Sequence, residues 1–440
     1  MQKFFKLKEL GSDFKTEILA GITTFLATMY IIIVNPSILA QAGMPFSGVL
    51  TATILVSAFS SIMMGIYAKN PIVLAPGMGI NAFFTYTVVI GMGVDWHIAL
   101  GAVFWSGIIF LLLSVFHVRT LIVKSIPQQV RYGIAVGIGL FIALIGFINA
   151  KFIVANSATI VGLGEMNLIT ITFLIGLTVT FILVIKKIKG ALILGIIFTT
   201  LLSIPIGRFY GDASTINFGV PTLVTWKGLF AMPDFSLILT LNFVESLKLS
   251  LLPVVFSFLF TDMFDSLSTL IGVAEAGNLK DKEGEPLRIR ESLIVDSFAS
   301  FFSGIVGTSS GTCYIESAAG IEEGGRTGLT AVVAGLLFLP FIFLSPVLSI
   351  VPSIATAPAL ILVGVFMTSP ILKVNWKKLD DAIPAFLGMF LIPLTFSITQ
   401  GIIWSFLSFT VIKIAVGKAK EIHWMLLVID AFAILALFLK

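Results

Sequence analysis

Two long apolar segments, one in each half of the chain, are broken in mid-run by small residues and followed by a side chain able to bind or ionise. The first runs from Asn70 to Phe84 and holds Pro76, Gly77, Gly79 and Asn81. The second runs from Gly307 to Gly320 and holds Gly311, Thr312 and Glu316. Neither can be a smooth membrane helix, because proline and glycine free or bend the backbone. Such backbone is tolerated at membrane depth only where it is buried in protein or lines a cavity. Paired interruptions in two halves point to a site near the bilayer midplane, where the two segments meet.

The membrane setting follows from composition. The chain of 440 residues is 58% hydrophobic and 11% charged, against roughly 25% charged in soluble domains. Apolar runs of about 20 residues span a bilayer, and here they recur almost from end to end. We place spans at 17–34, 47–67, 72–92, 97–116, 127–150, 168–185 and 190–206. A second seven fall at 246–272, 289–305, 308–321, 327–344, 356–372, 382–397 and 399–416. Residues 207–245, with Trp226 and Phe230, form an extracellular connection along the membrane surface. The apolar tail 423–440, carrying Asp430, is either a further span or an interfacial helix.

With the N-terminus inside, 22 of the 27 lysines and arginines fall on inside-facing segments, the bias expected of a membrane protein. The net charge of +4 is thereby read as topology rather than as an anionic or nucleic-acid partner. Seven is odd, so the second set enters the membrane inverted relative to the first. The expected fold is all-α and polytopic: 1–206 and 246–422 as two seven-span repeats, with spans 3 and 10 interrupted by short extended stretches. The charged start lacks a cleavage pattern and reads as a retained, cytoplasmic N-terminus. Cys313, the single cysteine, leaves no intramolecular disulfide and no cysteine metal cluster, and His97, His117 and His423 are scattered. No metal and no organic cofactor is expected.

Ionisable groups inside a membrane cost at least about 2.5 kcal/mol at its centre and mark functional sites. Three are singled out: Asp262 and Asp265, which share a helix face, and Glu316. Hydration near a helix end is the competing reading for the aspartates, and a satisfied structural carboxylate is that for Glu316. Asn81 offers two donors and an acceptor, suited to the edge of a heterocycle, or else a bond between helices. Half-helix N-termini would face the cavity. Phe83, Phe84 and Phe264 could stack on a flat ligand, with packing the commoner fate of a phenylalanine here.

APGMGINAFF (75–84), FTDMFDSLSTLIGVA (260–274), GTSSGTCYIESAAGIEEGGRTGL (307–329) and AGITTFLATMYIIIVNP (20–36) resemble the AzgA-like branch of nucleobase–cation symporters, in the nucleobase/ascorbate transporter family. The resemblance runs nearly the whole chain, with its motifs in order. It implies a core domain of spans 1–4 and 8–11 and a gate domain of spans 5–7 and 12–14, with the site between spans 1, 3, 8 and 10. It also implies uptake of purine bases (hypoxanthine, guanine or adenine) with protons, across a bacterial plasma membrane. Asp265 and Glu316 fall on the family's substrate-binding carboxylates and Asn81 on its third-span asparagine, with Phe264 and Thr312 beside them. Proton coupling would rest on Asp265, Glu316 and Asp262. The partners expected are the base, protons and lipid, with a homodimer left open.

The chemistry agrees. Purine bases carry ring N–H and amino donors, and hydrogen bonds to a carboxylate are the strong kind. Burial favours the neutral form of a carboxylate, so Asp265 could take a proton outside and release it inside. An anion carrier on the same fold would meet repulsion from three carboxylates, with no lysine or arginine expected in the site. A magnesium-dependent transferase using Asp262–Asp265 would need further carboxylates and a basic clamp. A passive channel would not concentrate its solute.

Overall fold

A computed structural model describes residues 4–116, 125–210, 216–217, 220–221, 228–277, 279–280 and 286–438. Trp226, His117, Lys3, Arg119, Lys124, Lys227, Lys282 and Lys440 lie outside the described residues. Eight described helices are long and apolar enough to cross a membrane, and the apolar stretches Met78–Gly91, Ala191–Ile206 and Gly328–Phe343 are shorter. Each apolar run assigned from sequence contains helix, and Leu168–Ile185 agrees to the residue. Helix starts follow local chemistry. Asp13, Asn167 and Ser397 cap theirs by accepting from Thr16, Thr170 and Gln400 backbone N–H groups. Pro45 and Pro127 stand just before Phe46–Met63 and Gln128–Asn149.

The two broken segments depart from helix as their sequences require. Leu74–Pro76 and Gly311–Cys313 are strands, paired antiparallel with Leu74 opposite Cys313, Ala75 opposite Thr312 and Pro76 opposite Gly311. Segments some 235 residues apart thus satisfy each other's backbone in the interior.

The helices gather into two groups. Gln128–Asn149 packs on Ser353–Met367 and Leu379–Thr395, which join Leu168–Ile185, Ala191–Tyr210 and Ile398–Ala415. The strand pair lies in the other group, with Phe14–Thr28, Ile31–Leu39, Phe46–Met63, Trp96–Val115, Leu252–Gly277, Ile289–Val306 and Gly328–Phe338. Small residues allow close approach in the first group. A Cβ on Gly133 would lie 2.2 Å from the Ala385 carbonyl oxygen, and one on Gly139 2.8 Å from that of Gly364.

Several contacts join loop to loop or loop to helix end. Arg288 donates to the Lys69 carbonyl at 3.0 Å, Lys189 pairs with Glu323 at 2.9 Å, and Asn375 N–H reaches Gln129 at 2.7 Å. Elsewhere, Asn242 N–H bonds the His97 carbonyl, and Asp234 accepts from Ser47 at 2.6 Å. The described part of the 207–245 connection is therefore pinned to helix ends. Its Leu237 and Leu241 are buried, while Phe230 is exposed. Two features were not foreseen. A hairpin pairs Ile153–Asn156 with Ile160–Leu163. Buried Glu17 accepts from the N–H groups of Arg326, Thr327 and Thr330, holding the start of Gly328–Phe338. The tail forms helix Trp424–Phe438, and its Asp430 accepts a hydrogen bond from Thr410 on the preceding helix.

Candidate functional site

The strand pair is built to be held from every side. Gly77 N–H bonds the Ser310 carbonyl at 2.9 Å, and Tyr314 N–H bonds the Val73 carbonyl at 3.0 Å. Ser317 accepts from Val73 N–H and Ser61 from Leu74 N–H, both at 3.0 Å. The Tyr314 hydroxyl donates to the Pro76 carbonyl at 2.5 Å. Unpaired backbone groups at this depth cost several kcal/mol each, so a strand here needs this complete set of partners.

A cavity of about 260 Å³ lies in front of the pair, between the two helix groups. Tyr30, Met78, Phe264, Asp265, Thr312, Tyr314 and Glu316 line it on one side; Gln128, Arg131, Tyr132, Ile138, Phe366, Met367 and Lys373 line it on the other. The Thr312 hydroxyl donates to Asp265 at 3.2 Å, and the Tyr30 hydroxyl donates to Glu316 at 2.7 Å. Tyr30 sits at the junction of Phe14–Thr28 and Ile31–Leu39, inside the continuous apolar stretch Phe14–Ala42. Glu316 occupies the capping position of the short helix Ser317–Glu322 without bonding its backbone, which leaves its carboxylate to Tyr30 and the cavity. A carboxylate has about four acceptor positions. With one used by each hydroxyl, Asp265 and Glu316 can still accept N–H donors from a ligand.

Asp265, Glu316, Phe264 and Thr312 thus come together in one lining. Asn81 does not join them. It is fully buried, accepts from the Ser309 hydroxyl and lies 3.8 Å from the Met78 sulfur. Asp262 is likewise behind the lining: although only three residues before Asp265, it turns to Ser300 on Ile289–Val306. Phe83 and Phe84 are fully buried against Phe258.

One expectation needs correction. The sequence places no lysine or arginine in the site, yet Arg131 and Lys373 line the cavity. Arg131 lies in the first turn of Gln128–Asn149, close enough to the helix end to reach inward. Tyr30, Tyr132 and Arg131 carried no signal of their own in the sequence, since tyrosine and arginine near span ends are common. Buried Asp296 on Ile289–Val306 does carry one, as a carboxylate in mid-span.

The model of the Permease family matches residues 15–403. The adenine permease AdeP of Escherichia coli (strain K12) is 43% identical over 99% of this chain and 95% of its own length. The guanine/hypoxanthine permease PbuO of Bacillus subtilis (strain 168) is 39% identical over 99% of this chain and all of its own. Among solved structures, the transmembrane domain of the cyanobacterial bicarbonate transporter BicA matches 89% of this chain and 97% of that one. Its TM-score is 0.63 at 14% identity, a likeness of fold alone. The chain belongs to the Permease family, as a multi-pass membrane transporter and not an enzyme.

Proposed function

We propose that this permease imports a purine base (adenine, guanine or hypoxanthine) together with protons. The observation that carries the reading is the pair of carboxylates, Asp265 and Glu316, presented to one cavity with Phe264 and Tyr30 beside them. A neutral, flat, donor-rich heterocycle matches such a lining. Each N–H given to a carboxylate makes a charge-assisted bond, and the aromatic rings cover the faces of the base. The names of the adenine and guanine/hypoxanthine permeases point the same way.

In this reading the fourteen spans form two inverted repeats. The strand-bearing helix group is the core, and the group around Gln128–Asn149 is the gate. The cavity reaches Gln128, Arg131 and Lys373; with the inside assigned from the charge bias, this is the conformation that faces the cytoplasm in this reading. Movement of the core against the gate would expose the same residues outside. A carboxylate that meets outside water in one access state and cytoplasmic water in the other can take its proton up outside and release it inside, which couples proton to substrate. The deciding experiment is uptake of radiolabelled hypoxanthine into liposomes. Adenine, guanine, xanthine and uracil serve as competitors, with and without a protonophore. Competition by adenine or guanine, with accumulation lost on protonophore addition, is expected. Failure of every purine to compete or be taken up would overturn the proposal.

Anion transport is the second reading, favoured by Arg131 and Lys373 in the lining. Two carboxylates in the same lining oppose it, because they would repel an anion. Chloride or bicarbonate flux without purine uptake would decide for it.

A further inference from the structure

Ser292, Asp296, Ser300 and Ser303 are spaced four, four and three apart and fall on one stripe of Ile289–Val306. None of them lines the cavity. Three of them, Ser292, Asp296 and Ser303, hold a group attached to the strand pair. Ser292 accepts from the Asn70 side chain at 2.6 Å, on the approach to the first strand. Ser303 accepts from Gly311 N–H at 3.1 Å, and the Ser300 hydroxyl lies 3.2 Å from the Gly311 carbonyl. Asp296 accepts from the Ser266 hydroxyl at 2.6 Å; Ser266 in turn accepts from Cys313 N–H at 3.4 Å. The Cys313 sulfur lies 3.7 Å from the same carboxylate oxygen.

The second strand is therefore gripped from behind at both ends, Gly311 by Ser303 and Cys313 through Asp296 and Ser266. Side chains alternate along a strand, so Thr312, between these anchors, faces forward to Asp265. Glu316 follows three residues after Cys313. A carboxylate in mid-membrane is costly, and helix packing alone would be served by serine. An ionised or polarised acceptor gives the stronger bond needed to fix a three-residue strand.

We propose that Asp296 is a positioning residue: through Ser266 and Cys313 it sets the strand that places Thr312 and Glu316 at the cavity. The proposal rests on the reading that these residues bind a purine base. Its test is binding and liposome uptake of radiolabelled adenine and hypoxanthine by the full chain, with the folded fraction measured on each preparation. Asp296→Ala should raise Kd and KM about tenfold with Vmax per folded molecule nearly unchanged. Asp296→Asn, whose neutral oxygen can still accept from Ser266 in a weaker bond, should recover part of that loss. Ser266→Ala, which cuts the link to Cys313, should reproduce the loss in weaker form. If Asp296→Ala gives no folded protein, Ser266→Ala decides alone. Wild-type KM in folded Asp296→Ala, or in folded Ser266→Ala where that variant decides, overturns the proposal. So does failure of Asp296→Asn to improve on alanine. If wild type binds neither base, the purine reading falls instead.

Discussion

The two broken segments share a plan and differ in what they present. In the first, Leu74–Pro76 leads to Asn81, which is fully buried and bonded to Ser309 of the other half. In the second, Gly311–Cys313 and its sequel put Thr312 and Glu316 on the cavity, facing Asp265 and Tyr30. The first segment's amide is used up inside the protein, while the second segment's polar side chains face the cavity. Two interrupted segments provide two paired strands, but a single small ligand needs only one set of acceptors. The other set is free to become the brace that holds the pair together.

If that division is right, the halves should respond differently to substitution. Glu316→Gln should have the largest effect, because it removes the charge that strengthens bonds worth about 1.5–3 kcal/mol each. Binding of purine should fall by more than about tenfold while the folded yield holds. Unchanged affinity would place the ligand elsewhere. Asp265→Asn fixes the neutral form, so proton-driven accumulation should vanish even where exchange of base for base survives. Accumulation that stays fully protonophore-sensitive would move the coupling proton to another group, with Glu316 first in line.

Asn81→Ala should show the opposite pattern. It leaves the buried Ser309 hydroxyl without its acceptor, a loss of about 1–3 kcal/mol. Thermal stability should drop while affinity per folded molecule stays within about threefold of wild type, a change worth under 1 kcal/mol. A large rise in Kd with unchanged stability would return Asn81 to the site and abolish the contrast between the halves.

The smallest effect should come from a cluster remote from both strands. Asp380 and Glu421 accept from Lys413 at 2.8 and 2.7 Å, and Lys418 reaches Asp380 at 2.6 Å. These bonds hold both carboxyls below the usual carboxylate range, with Lys413 the leading cause. A depressed carboxyl stabilises the fold above its unfolded pKa and loses that contribution as pH falls toward the folded value. Stability should therefore decline modestly below about pH 4. Asp380→Asn should flatten that decline without altering purine affinity at neutral pH. A matching change in affinity would tie this corner to the site.

Much of the site was legible because membrane burial makes polar residues conspicuous. Asp265 and Glu316 stood out as ionisable groups in apolar runs, and Pro76, Gly77 and Gly311 marked where helix must fail. Asn81 stood out equally, yet whether an amide meets a ligand or another side chain depends on what lies opposite it. Ser309, its partner, is 228 residues away. Tyr30 and Arg131 were invisible for the same reason, since each matters only through what it meets.

Local sequence by itself determined the membrane class, the positions of the apolar runs, the two interruptions and the carboxylates. Hydropathy, proline and glycine act within a few residues, so their consequences can be read one segment at a time. Tertiary structure alone decided that the two interruptions pair with Ala75 opposite Thr312, and that Asp265 faces the cavity while Asp262 turns away. It also decided that Asp296 reaches the second strand through Ser266 and Cys313. These are meetings between segments distant in the chain. They are fixed by the need of buried backbone and side-chain polar groups for partners where no water can supply them.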